Sequence, residues 1–226
     1  VKTVDIRGYI ITNELKDVAD FYGIESTAPN DLKSVIDSLD EGEDLNVTIN
    51  SGGGYLTAGQ EMYTMLLNQP NVTVYVNSIA ASAASLIAMG GTVIIMSPAA
   101  QLMIHNVQVE TSIDGDWHDA DRLARDLKSA NEAIAEAYSR RTGMSKDKAL
   151  ALMDRETWLS AEKAVELNFA DSIMDPAEVN IDMAAAIGSL PLTDKMIEQA
   201  RKDMAEAKRR KAEKEALVSD LWKYGI

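Results

Sequence analysis

Between residues 3 and 105, short runs rich in valine, isoleucine and leucine alternate with stretches of helical spacing. Residues 3–11 alternate as a strand, 14–22 read as a short helix and 23–29 as a loop. Asn30 or Asp31 is positioned to cap a helix whose inner face is Leu32, Val35, Ile36 and Leu39. Residues 45–50 form the next strand and end in Gly52-Gly53-Gly54; residues 57–67 form a helix with Met62, Tyr63 and Leu66 inward. Strand 72–76 follows, then a small-residue helix over 80–89 leaving the sheet at Ser78, then strands at 93–96 and 102–105. Parallel strands need crossovers and helices supply them, so the repeating order of strand and helix predicts an α/β domain with a largely parallel sheet.

Beyond that repeat lies one long helix over 119–141, stopped by Thr142-Gly143, with Leu123, Leu127, Ala130, Ile134, Ala137 and Tyr138 spaced by three or four. A helix over 145–153 and another capped by Ser160 follow, and Asp171-Ser172-Ile173 closes the domain. Residues 194–221 are almost all helix formers without glycine or proline. This predicts a domain over 1–176, a linker over 177–193 and a charged C-terminal helix over 194–226.

Composition narrows the function. The chain has 226 residues and no cysteine, which excludes disulfides, thiolate metal sites and thiol catalysis. A net charge of −14 argues against a nucleic-acid surface, since phosphate binding needs a positive field. The longest apolar run, residues 85–96, is broken by Gly90-Gly91 and is too short for a bilayer, and the first residues lack signal-peptide character, so no membrane role is expected.

Three segments carry chemistry. Ser82 sits among alanines at the start of a helix, where backbone N–H groups have no intrahelical acceptor. His105, one of two histidines, ends an apolar strand, where an open α/β sheet borders its crevice. The glycine triplet lets backbone N–H groups face a ligand that side chains would otherwise block, and no Lys-Ser/Thr follows to make it a phosphate loop. Together they supply a nucleophile, a base and an oxyanion site, the parts acyl transfer needs. Ser85, one turn on, packs inside its helix. Ser78 is a candidate cap. His118, among Asp114, Asp116 and Asp119, reads as surface, and a lone histidine with scattered acids is weak ground for a metal site.

Four motifs in register resemble the ClpP peptidase family. Ile49-Asn50-Ser51-Gly52-Gly53-Gly54 with Thr57-Ala58-Gly59 is similar to its Ile-Asn-Ser-Pro-Gly-Gly turn, and Ala80-Ala81-Ser82 to its nucleophile segment. Met103-Ile104-His105-Asn106 is similar to its Met-Ile-His-Gln, and residues 159–166 with Ala170-Asp171-Ser172-Ile173 to its C-terminal segment. The resemblance covers residues 4–174. Glu156-Thr157-Trp158 and the run 80–89 are closer to the ClpP-related proteases of tailed phages and prophages, which process capsid or scaffolding proteins.

The resemblance implies a ClpP/crotonase-like fold of repeated ββα units with a protruding handle helix at 119–141. It implies Ser82 as nucleophile, His105 as general base, and the Gly54 and Ala83 N–H groups as the oxyanion hole, with no cofactor and no metal. The family's third catalytic member falls on Glu156, with Asp154 as the alternative, and Asp171 reads as a structural turn residue. Gly52 replaces the family's proline and loosens the turn. The family's segment for docking an ATPase unfoldase precedes its first strand and has no counterpart here, which argues against that partner. The resemblance further implies a homo-oligomer, a heptameric ring or stacked rings, enclosing a polypeptide substrate such as a phage capsid or scaffold protein. It implies the cytoplasm of a bacterial host or a phage prohead as the location. A crotonase-like acyl-CoA enzyme would not need Ser82 with His105, a Ser-Lys signal-peptide peptidase lacks a membrane segment here, and a catalytically decayed ring scaffold would not need the full set.

Overall fold

The computed structural model describes residues 1–109, 115–175 and 192–223, with side chains through 210. In chain order the elements are β1 (Lys2–Ile10), α1 (Asn13–Phe21), β2 (Ser26–Thr27), α2 (Pro29–Ile36), β3 (Leu45–Gly54), α3 (Leu56–Leu67), β4 (Val72–Ala81) and α4 (Ala83–Ala88). They continue as β5 (Val93–Met96), β6 (Gln101–Ile104), α5 (Trp117–Thr142), α6 (Lys146–Met153), β7 (Thr157–Ser160), α7 (Ala161–Glu166), β8 (Ser172–Ile173) and α8 (Asp194–Lys223). The strands form one sheet in the order β2-β1-β3-β4-β5-β8, all parallel along that path.

The sheet forks at β4. Its first half, Thr73 to Val76, pairs with β5, and its last residues, Ile79 to Ala81, pair in parallel with β6. β7 then returns antiparallel against β6, with Ile104 opposite Thr157. Three neighbouring parallel strands, β3, β4 and β6, therefore end on one side, and β7 begins there. In open α/β sheets that edge borders the ligand crevice.

Several local expectations change. Ala80 and Ala81 belong to β4 rather than to a helix, and Ser78 is a strand residue rather than a cap. Alanine favours helix intrinsically, but the backbone groups of these residues are taken by pairing with β3 and β6, which outweighs a propensity of a few tenths of a kcal/mol, about the size of such preferences. Likewise β3 runs through the glycine triplet instead of stopping before it. The stretch 23–29 holds β2, whose pairing with β1 places Thr27 to bond Arg7 across 20 residues of sequence. The N-cap of α2 is Ala28, and Asp31 acts from the third helical position by accepting the Ala28 N–H at 2.8 Å.

The core lies between the sheet and its helices. Ile6, Val47, Ile49, Val74 and Ile94 face Met62, Leu66, Ile87 and Phe169, all fully buried. α5 is exposed over its first half and buried at Ile134, Ala135, Ala137, Tyr138 and Thr142. Its N-cap is Asp116, which accepts the His118 N–H at 2.8 Å, and its C-cap is left-handed Gly143. The Tyr138 ring meets Phe169 edge-on with centroids 5.7 Å apart, an arrangement worth about 0.5–1.5 kcal/mol beyond burial.

Asp171 is structural: it accepts the Ile94 N–H at 2.6 Å and pairs with Arg141. Ser160 caps α7 by accepting the Lys163 N–H. α8 docks its first turns on α1, with Ala200 buried and the Tyr22 hydroxyl donating to the Met196 carbonyl at 3.1 Å. Most of the linker expected over 177–193 lies outside the described residues. Among the described residues no helix is long and apolar enough to cross a membrane.

Candidate active site

Ser82 stands at the turn where β4 ends and α4 begins. Its backbone has φ 54 and ψ −123, outside the regions a serine normally occupies. A non-glycine residue held there costs about 1–3 kcal/mol and persists only where the surroundings over-determine it. Here they do. The Ser82 N–H donates to the Met103 carbonyl at 3.0 Å, tying the serine to β6. Its carbonyl accepts the N–H groups of Ser85 and Leu86 at 3.0 and 3.2 Å. The Ser85 hydroxyl adds a third bond to the same oxygen at 2.7 Å.

His105 follows directly on β6, which pairs with the end of β4, so the two side chains meet across the strand ends. His105 Nε2 lies 2.7 Å from Ser82 Oγ. Burial pushes the imidazole below its usual value of 6.5, and the charge of Glu156 partly offsets that shift. The ring is therefore neutral at neutral pH and able to accept the serine proton. In the tautomer that does so, Nδ1 carries the other proton, and this buried Nδ1 has no hydrogen-bond partner among the described residues.

The register of β6 with β7 sets Glu156 opposite His105 at the sheet end, in the same cleft. Glu156 also has positive φ, 47. Its carboxylate accepts from Trp158 Nε1 at 3.3 Å rather than from His105. Asp154 accepts from Asn106 Nδ2 at 2.8 Å. The structure thus brings Ser82 and His105 into contact and Glu156 within electrostatic reach, and it keeps Asp154 on Asn106.

Gly54 and Ala83 line the same cleft as Ser82. Ala83 opens α4, so its N–H has no acceptor within the helix. Gly54 has φ 153, and a Cβ there would lie 2.1 Å from the Ile10 carbonyl oxygen. The cleft holds about 1050 Å³ and is walled by Tyr9, Tyr55, Leu56, Leu86, Val107 and Leu123 among others. Leu192, which leads into α8, contributes to its rim. His118 is exposed and stacks on Trp117 away from these groups. No cluster of three metal-ligating side chains occurs among the described residues.

Sequence reasoning missed Trp158, Asn106 and the Ser85–Tyr138 contact at 2.8 Å. The first lies only two residues from Glu156 in the chain, near enough for the two side chains to meet. The other two join residues about 50 apart in the chain and left no local signal.

The family model described as Clp protease matches residues 29–177. Two curated relatives from Bacteroides fragilis, each named ATP-dependent Clp protease proteolytic subunit, are 31% identical over 142 residues, 62% of this chain. The alignments cover 68% of one and 64% of the other, so the chain spans about two thirds of their length. A solved ClpP1 mutant from Listeria monocytogenes superposes with a TM-score of 0.62 at 23% identity, over 76% of this chain and 91% of that one. That likeness is one of fold, and it agrees with the α/β, ClpP/crotonase-like architecture expected from the sequence.

Proposed function

The chain belongs to the Clp protease family, and on that premise we propose that it is a serine peptidase with Ser82 as nucleophile and His105 as general base. The observation that carries this reading is the 2.7 Å separation of Ser82 Oγ from His105 Nε2. His105 takes the Ser82 proton as the oxygen attacks the substrate carbonyl carbon. The tetrahedral oxyanion accepts from the Gly54 and Ala83 N–H groups, and His105 then protonates the departing amine as the C–N bond breaks. Water attacks the acyl-serine by the same route in reverse. Glu156 stabilises the imidazolium by its charge, in keeping with its upward pull on the His105 pKa.

In its narrower form the proposal takes the active unit as residues 1–176 in a homo-oligomeric ring. The substrate is a phage capsid or scaffold protein met in a bacterial host or prohead. The resemblance of residues 80–89 and 156–158 to phage and prophage relatives supports that form. Native mass reads the ring, and a capsid or scaffold protein cut by wild type but not by Ser82→Ala identifies the substrate.

The activity itself is tested by intact-mass labelling with a fluorophosphonate. One adduct on wild type, lost in Ser82→Ala and His105→Ala, is expected. A folded wild type that takes no adduct overturns the reading, and a catalytically inactive scaffold then replaces it.

A further inference from the structure

We infer that Tyr138 of α5 is a positioning residue that aims the Ala83 N–H at the oxyanion through Ser85, an inference that rests on the serine-peptidase reading. Three buried groups carry it. The Ser85 hydroxyl lies 2.7 Å from the Ser82 carbonyl oxygen and 2.8 Å from the Tyr138 hydroxyl. A carbonyl can only accept, so the single Ser85 proton goes to Ser82. The Tyr138 O–H must then donate to Ser85 Oγ, and the chain runs Tyr138 to Ser85 to the Ser82 carbonyl in one direction. Hydrogen bonds in such a chain polarise and strengthen one another.

Peptide planarity turns this into a statement about catalysis. The Ser82 carbonyl and the Ala83 N–H belong to one trans peptide unit and point in opposite directions. Whatever fixes the carbonyl fixes the N–H. At Ser82 the backbone sits at φ 54, where relaxation toward an ordinary conformation would rotate that unit. The oxygen accepts two helical N–H bonds at 3.0 and 3.2 Å, and the hydroxyl bond at 2.7 Å is the one of the three that links it to Tyr138. Tyr138 is 1% exposed and Ser85 fully buried, so water does not compete for either. The tyrosine touches neither Ser82 nor His105 by any hydrogen bond, and its effect passes through Ser85 alone.

The test compares wild type, Tyr138→Phe, Ser85→Ala and the double variant by the kinetics of fluorophosphonate labelling, with the rate constant kinact separated from the half-saturating concentration. Only chains that label are counted, so partial unfolding does not enter kinact. Misaiming a donor costs less than the roughly 10²–10³ of deleting one, so each single variant is expected to lower kinact about tenfold. The double variant should lose no more than Ser85→Ala, because Tyr138 acts through it. Half-saturation and the pH midpoint, which belongs to His105, should stay in place, whereas a merely structural role would leave kinact per labelled chain unchanged. A Tyr138→Phe chain with wild-type kinact, or losses that multiply in the double variant, overturns the inference while the peptidase reading stands. A folded wild type that never labels removes both.

Discussion

Adding one methyl group at Gly53 tests how closely Ser82 is packed. A Cβ there would lie 2.7 Å from the Ala81 carbonyl oxygen, 2.7 Å from Ser82 Cβ and 3.0 Å from Ala83 N. Ordinary contacts begin near 3.4 Å, so the two closest atoms must move by about 0.7 Å. All three atoms belong to the turn that presents Ser82 and the proposed oxyanion donor, and none is the free end of a flexible side chain. Gly53 also has φ 98, where an L-residue is strained by about 1–2 kcal/mol. Gly143→Ala separates the two effects, because Gly143 has φ 74 and nothing within 4 Å of its added Cβ. In urea titrations both variants should lose about 1–2 kcal/mol from the backbone, and Gly53→Ala a further ~1–3 kcal/mol from overpacking. Fluorophosphonate should label Gly143→Ala at the wild-type rate. Gly53→Ala should label about 10²-fold more slowly, since a displacement near 1 Å at reacting atoms costs that much. Labelling of Gly53→Ala within about threefold of wild type would refute the claim that this glycine's close approach holds Ser82 in place.

Further outcomes follow from other contacts. Because burial lowers the His105 pKa and the Glu156 charge raises it, the labelling rate should rise with pH to a plateau, with a midpoint below 6.5. Glu156→Gln should move that midpoint lower still, and an unmoved or raised midpoint would contradict the coupling. By the same linkage the unfolded chain binds more protons at His105 than the folded one, so stability should fall as pH drops below about 6.5, an effect absent in His105→Ala. Asp171→Ala strands the Ile94 N–H and Arg141, and should cost about 1–2 kcal/mol in urea without slowing labelling; slower labelling would give Asp171 a part in the site. Ala200→Asp puts a carboxylate where α8 packs on α1, and should speed limited proteolysis after residue 192 while leaving the sheet intact. Unchanged proteolysis would mean that the contact does not hold α8.

Much of this protein is written locally. The strand at 93–96 and the helices at 57–67 and 119–141 carry their own apolar periodicity, and the structure extends them by three residues at most, whereas the strand at 72–76 runs on to Ala81. Ser82, His105 and the glycine triplet stand out because small residues, a rare histidine and a glycine run are unusual in any strand-ending context. Their order along the chain, with helices between, already implies a parallel sheet whose strand ends would converge.

What the tertiary structure alone decides are the bonds between distant segments. Ala80 and Ala81 became strand because β3 and β6 offered them backbone partners, which outweighs alanine's helical preference. The positive-φ conformation of Ser82 exists because Met103, Ser85 and Leu86 hold its peptide groups. Glu156 lies opposite His105 through the register of β7 on β6, yet its carboxylate turns to Trp158. Tyr138 looked like one more apolar position on a long helix, and only folding set its hydroxyl against Ser85, 53 residues away. Periodicity reports which face of an element is buried and says nothing about which polar atom waits on the other side. That depends on how the elements pack, and packing is a property of the whole chain.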